Sequence, residues 1–76
     1  MTTLEKVIEI VANTCDVDKS EVIESSMVGD FPAWDSVGHL SILSSVEDAF
    51  DISFEPEDMM EMEDVKDIVA AVNSKL

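Results

Sequence analysis

Residues 35–54 read DSVGHLSILSSVEDAFDISF, and the fold turns on how this stretch is read. Val37, Leu40, Leu43, Val46 and Phe50 recur at three- and four-residue intervals, with Ile42 and Ala49 widening the stripe. That is the spacing of an amphipathic helix with one buried face. Asp35 stands where an N-cap belongs, the helical pattern ends near Asp51, and Ile52 and Phe54 then alternate with Ser53 and Glu55 as an extended connector. The open question inside the stretch is Ser36, which is a cap-region residue, a nucleophile or a point of attachment.

Working outward, Leu4, Val7, Ile8, Val11 and Cys15 define a first helix over about residues 3–15, started by a Thr2/Glu5 capping box. Asp18 and Glu21 form a second, weaker box for one short turn inside a long connection. Residues 24–35 mix Ser25, Ser26, Gly29, Asp30 and Pro32 with Met27, Val28, Phe31, Ala33 and Trp34. The polar breakers predict a loop and the apolar residues predict that it packs on the core, with Phe31 and Trp34 as its anchors. Pro56 suits the first position of a short helix ending near Met60. Val65, Ile68, Val69, Val72 and Leu76 mark a last helix from about Asp64 to the terminus. Three longer helices, one short helix and a long first loop, with no strand pair, make a compact all-α bundle.

The chain has 76 residues and a net charge of −14, from 18 acidic and 4 basic residues. This size fits one small domain without a deep enclosed active site. The charge disfavours nucleic acid and anionic membranes as partners and favours proteins with basic patches. A single cysteine, Cys15, excludes an internal disulfide and reads as a small, partly buried helix residue. The start, MTTLEKVIEI, lacks the basic opening and cleavage site of a signal peptide, and no apolar run approaches the ~20 residues that cross a bilayer. A cytoplasmic, monomeric protein is the expectation.

Catalytic and metal-centred readings fail on their own requirements. A nucleophile elbow needs glycine on both sides of its serine, and Trp34 stands on the left of the Asp35–Ser36 pair. His39, the one histidine, lies three residues on, without an orienting acid, and reads as an exposed surface residue. An EF-hand counted from Asp16 would put Glu21 where Gly is needed and Met27 where Glu is needed. One Cys and one His make no zinc cluster. No catalytic and no metal-binding residue is assigned. A serine at a helix start is accessible, and a phosphodiester there would be favoured by unpaired N–H groups and the helix dipole. The cap and attachment readings of Ser36 both remain open on this physics.

The same stretch resembles the signature of acyl carrier proteins and related carrier domains. That family shows Asp-Ser and an apolar residue, then a helix ending in an acidic pair and a Phe-x-Ile segment, matched here by Asp35, Ser36, Val37, Glu47, Asp48, Phe50 and Ile52. Length, acidity, the long first loop and the helix order extend the resemblance over residues 1–76, a single carrier domain. It implies a four-helix, noncatalytic carrier in which a phosphopantetheinyl transferase uses coenzyme A to place 4′-phosphopantetheine on Ser36. The arm's thiol would hold acyl groups as thioesters for acyl-loading, chain-modifying or transferring enzymes with basic docking patches. Asp35 would help present Ser36 to the transferase, while Val37, Glu47 and Asp48 would contact partners. Between residues 35 and 67 eleven acids face one base, Lys66, marking the docking side.

Carriers of ordinary fatty-acid synthesis have acids two and five places after the serine, whereas this chain has Gly38 and Ser41. Gly38 should also weaken the helix by up to ~1 kcal/mol relative to Ala. The Trp-Asp-Ser-x-Gly-His-Leu form is similar to carriers of specialised lipid, polyketide or peptide pathways. An aminoacyl, D-alanyl or peptidyl carrier is the alternative in the same chemistry, and an acidic interaction module without prosthetic group the alternative outside it. Met59, Met60 and Met62 fit either an adaptable acyl cleft beside the second helix or irregular core filler.

Overall fold

Helix α1 spans Thr3–Cys15, and its start is the capping box read from the sequence, with the Glu5 N–H donating to Thr2 Oγ1 and the Thr2 N–H to the Glu5 carboxylate. The computed structural model describes residues 2–76; Met1, part of the acidic start and of the 1–76 domain reading, lies outside the described residues. A 3₁₀ turn, Lys19–Glu21, follows with its own Asp18/Glu21 capping box. Helices α2 (Ser36–Phe50), α3 (Pro56–Glu61) and α4 (Val65–Lys75) complete the chain, giving the expected three longer helices and one short one. The Cα radius of gyration is 11.0 Å, close to the ~11 Å of a compact chain of this length.

Helix α1 packs against both α2 and α4. Its buried side is Val7, Ile10, Val11, Ala12 and Cys15, while Leu4 and Ile8 are only half-buried. Helix α2 contributes Ile42, Leu43 and Val46, and α4 contributes Val65, Ile68 and Val72. The helical periods were right, but four stripe residues lie off the core: Val37, Leu40, Ala49 and Leu76 are exposed. Ile42, Leu43 and Val46 form the inward face with half-buried His39 one turn before them, so Val37 and Leu40 fall on the outward side of the helix. Each of α1 and α2 stops at a left-handed aspartate, Asp16 at φ 57° and Asp51 at φ 55°.

The loop before α2 is stitched to the segment before α4, a feature that no periodicity announced. Met27 and Asp64 form an isolated antiparallel bridge, with the Val28 N–H donating to the Glu63 carbonyl at 3.0 Å and the Val65 N–H to the Ser26 carbonyl at 2.9 Å. Lys66 N–H reaches back to the Glu24 carbonyl at 3.0 Å. These bonds satisfy loop backbone that would otherwise be lost to folding. They also hold the loop under Trp34, which is fully buried, with Phe31 parallel to it at a centroid separation of 6.5 Å. Both aromatics therefore anchor the loop as expected.

Candidate functional site: the loop and first turn of α2

Residues 33–39 each meet a different physical demand. Asp35 has extended backbone geometry and its Oδ1 accepts from the Gly38 N–H at 2.8 Å, while its carbonyl accepts from the His39 N–H at 2.8 Å. It is the N-cap, as the sequence predicts. Ser36 is the first helical residue and is exposed. The N–H groups of Ser36 and Val37 belong to the first turn, where an α-helix offers no intrahelical acceptor. An anionic linkage on the Ser36 hydroxyl would lie at the positive end of a helix of 15 residues, near first-turn N–H groups.

Gly38 corrects the expectation drawn from helix propensity. A Cβ at this position would overlap the Ala33 carbonyl oxygen and lie 3.1 Å from the Ala33 carbonyl carbon. Glycine is needed because the incoming loop crosses directly over the helix, so its propensity cost is offset by a packing that Ala cannot make. His39 is corrected as well: it is half-buried, not a solvent-facing surface residue. Its Nδ1 accepts from Trp34 Nε1–H at 3.0 Å and its Nε2 lies 2.8 Å from the Met62 carbonyl oxygen. The indole N–H is donor-only and the carbonyl acceptor-only, so the pair of contacts selects the neutral, Nε2-protonated ring.

The residues read as partner contacts stand in different settings. Val37 is 73% exposed and Leu40 59%, three residues apart on one side of the helix. Asp48 is exposed, whereas Glu47 is half-buried and its carboxylate accepts from the Phe54 N–H at 2.8 Å. Glu47 thus also fastens the extended connector to the end of α2. The methionines divide: Met62 is buried, Met59 packs half-buried against the core, and Met60 is 82% exposed. An open groove between α3 and α4 is lined by Met62, Ala70 and Ala71 with Asp58, Glu61 and Asp67, and neither Ser36 nor Met59 nor Met60 lines it.

Across the whole chain the charge is mostly negative, at −14. Asp58 accepts from the Glu55 N–H at 3.1 Å and pairs with Lys75 at 3.3 Å, and these two, the backbone bond foremost, hold its carboxyl below the usual aspartate range. Cys15 is buried, and desolvation pushes its thiol up, so it is a poor thiolate and a poor candidate for cargo attachment. Among the described residues no helix is long and apolar enough to cross a membrane.

Comparison with known proteins bears on this geometry directly. The family model described as a phosphopantetheine attachment site matches residues 5–72. The acyl carrier protein of Streptococcus pneumoniae serotype 4 is 39% identical over 75 residues, covering 99% of this chain and 97% of the relative. The acyl carrier protein of Syntrophus aciditrophicus is 33% identical over 70 residues, covering 91% and 86%. That of Syntrophobacter fumaroxidans is 33% identical over 63 residues, covering 83% and 78%. An all-α bundle with an exposed, capped serine at the start of its second helix, matched over nearly its whole length by such proteins, belongs to the acyl carrier protein family, whose members are carriers rather than catalysts and bear 4′-phosphopantetheine.

Proposed function

We propose that Ser36 is the attachment residue and that the chain carries acyl intermediates for a specialised lipid or polyketide pathway. The observation that carries the first part is the exposed Ser36 at the N-terminal end of α2, directly after an Asp35 cap whose carboxylate is engaged by the Gly38 N–H. In the attachment step a P–O bond forms to Ser36 Oγ, the pyrophosphate bond of coenzyme A breaks, adenosine 3′,5′-bisphosphate leaves, and the hydroxyl proton is lost. The bound arm supplies a flexible thiol for thioester exchange. This chain's own part is to hold the hydroxyl clear of the core, to offer first-turn N–H groups to the phosphate, and to present docking residues beside it.

The uncharged opening of α2 supports the specialised pathway. No acid lies in its first turn, and Val37 and Leu40 are exposed around Gly38. A partner fitted to this face meets apolar side chains before it meets Glu47 and Asp48. The net charge of −14 supports encounter with basic transferases and acyl-handling enzymes. A monomer working in the cytoplasm completes the reading.

Incubating the protein with coenzyme A and a broad-specificity phosphopantetheinyl transferase, followed by intact-mass measurement, tests it. The expected result is gain of one phosphopantetheinyl group, lost in Ser36→Ala. No gain, or a gain that survives Ser36→Ala, overturns the assignment. The mass of the native thioester then separates an acyl from an aminoacyl cargo.

A further inference from the structure

Trp34 and His39 bracket Ser36, and a ring of hydrogen bonds passes through both. Trp34 Nε1–H donates to His39 Nδ1 at 3.0 Å, and His39 Nε2–H donates to the Met62 carbonyl at 2.8 Å. The next carbonyl, that of Glu63, accepts from the Val28 N–H at 3.0 Å, and the Gly29 N–H closes the ring on the Trp34 carbonyl at 2.8 Å. Loop, first turn of α2 and end of α3 are thereby one hydrogen-bonded unit. Gly29, at φ 96°, supplies the backbone turn that lets the loop close on itself.

A fully buried indole needs an acceptor for its N–H, because an unpaired polar group inside the core is costly. His39 supplies that acceptor, and its other nitrogen spends its proton on the segment after α3, so the ring works only with the histidine as a two-ended strut. Removing it frees the indole at one end of segment 34–39 and the Met62 carbonyl at the other. The Ala33 carbonyl, held against Gly38, immediately precedes Trp34 in the chain.

We infer that His39 is a positioning residue for modification at Ser36, holding the loop and the helix start in the relative placement in which the hydroxyl is presented. The inference rests on the assignment of Ser36 as the attachment residue. It acts through Trp34 and the backbone, and His39 itself touches neither coenzyme A nor the reacting phosphate.

The test compares His39→Gln with His39→Met, side chains of matched length of which only Gln keeps an acceptor and a donor. Transferase-catalysed modification is followed by intact mass under saturating and limiting carrier, and the one indole N–H in the chain is followed by ¹⁵N NMR and hydrogen exchange. His39→Met is expected to lower kcat about tenfold, the scale of a small misplacement of a reacting group, with KM changed less than about twofold, and to lose indole protection. His39→Gln is expected to recover most of kcat and of the protection. Equal rates in His39→Met and the unaltered protein overturn the inference, as does an equal loss in both variants, which marks a purely steric role. If His39→Met does not fold by circular dichroism, Trp34→Phe removes the donor together with part of the buried ring; a similar kcat loss in a folded variant supports the strut and an unchanged kcat overturns it. Absence of modification in the unaltered protein overturns the assignment of Ser36, a distinct outcome from unchanged rates in the variants.

Discussion

The Ala33 carbonyl oxygen occupies the space that a Cβ on residue 38 would need. Gly38 is therefore fixed by the path of the loop over α2, although helix propensity alone marks it as a weakness. Gly38→Ala is expected to destabilise by about 1–3 kcal/mol, the cost of overpacking, where propensity predicts a gain of up to ~1 kcal/mol. Urea unfolding decides the sign, and a raised midpoint would show that the loop moves aside cheaply.

The left-handed aspartates Asp16 and Asp51 pose the opposite case, since both carry a side chain where the backbone favours glycine. Each also places a negative charge at the negative end of a helix dipole. Asp16→Gly and Asp51→Gly are each expected to stabilise by about 1 kcal/mol, measured as higher thermal or urea midpoints. Unchanged or lowered midpoints would mean that these carboxylates make compensating contacts.

Glu47 and Asp48 are neighbours in sequence with different surroundings, so they should separate stability from docking. Glu47→Gln weakens a charge-assisted bond to the Phe54 N–H and is expected to cost about 1 kcal/mol. Asp48→Lys leaves stability nearly unchanged and slows transferase modification at low salt more than at high salt, because steering is screened. Salt-independent rates for Asp48→Lys would remove this acid from the docking surface.

Acid should loosen the junction of α3 with α4. The Asp58 carboxyl is held below its ordinary value by the Glu55 N–H and by Lys75. A lowered carboxylate pKa contributes stability that is present above the unfolded value of about 4 and is lost as pH falls through the folded value. Asp58→Asn is expected to flatten the decline in thermal midpoint between neutral and acid pH, with the difference from the unaltered protein vanishing at the lowest pH. Parallel curves would show that other carboxylates govern the acid limb.

The sequence by itself determined the four helices, their caps and the anchored loop, because these depend on local periodicity and on residue pairs three positions apart. Thr2 with Glu5, Asp35 before α2 and Pro56 at the start of α3 each act within one helical turn. The resemblance carried by Asp35, Ser36 and the acidic end of α2 was legible for the same reason. What only the tertiary structure decided are contacts between segments far apart in the chain or meeting at an unforeseen angle. Val37 and Leu40 continue an apolar stripe yet face outward, because the inward face of α2 is the one that carries His39, Ile42, Leu43 and Val46. His39 bonds to Met62, 23 residues away, and the loop bridges Met27 to Asp64; no helical period encodes either. Gly38 shows the difference most sharply: its propensity is a property of the residue, but its necessity comes from where the Ala33 carbonyl comes to rest.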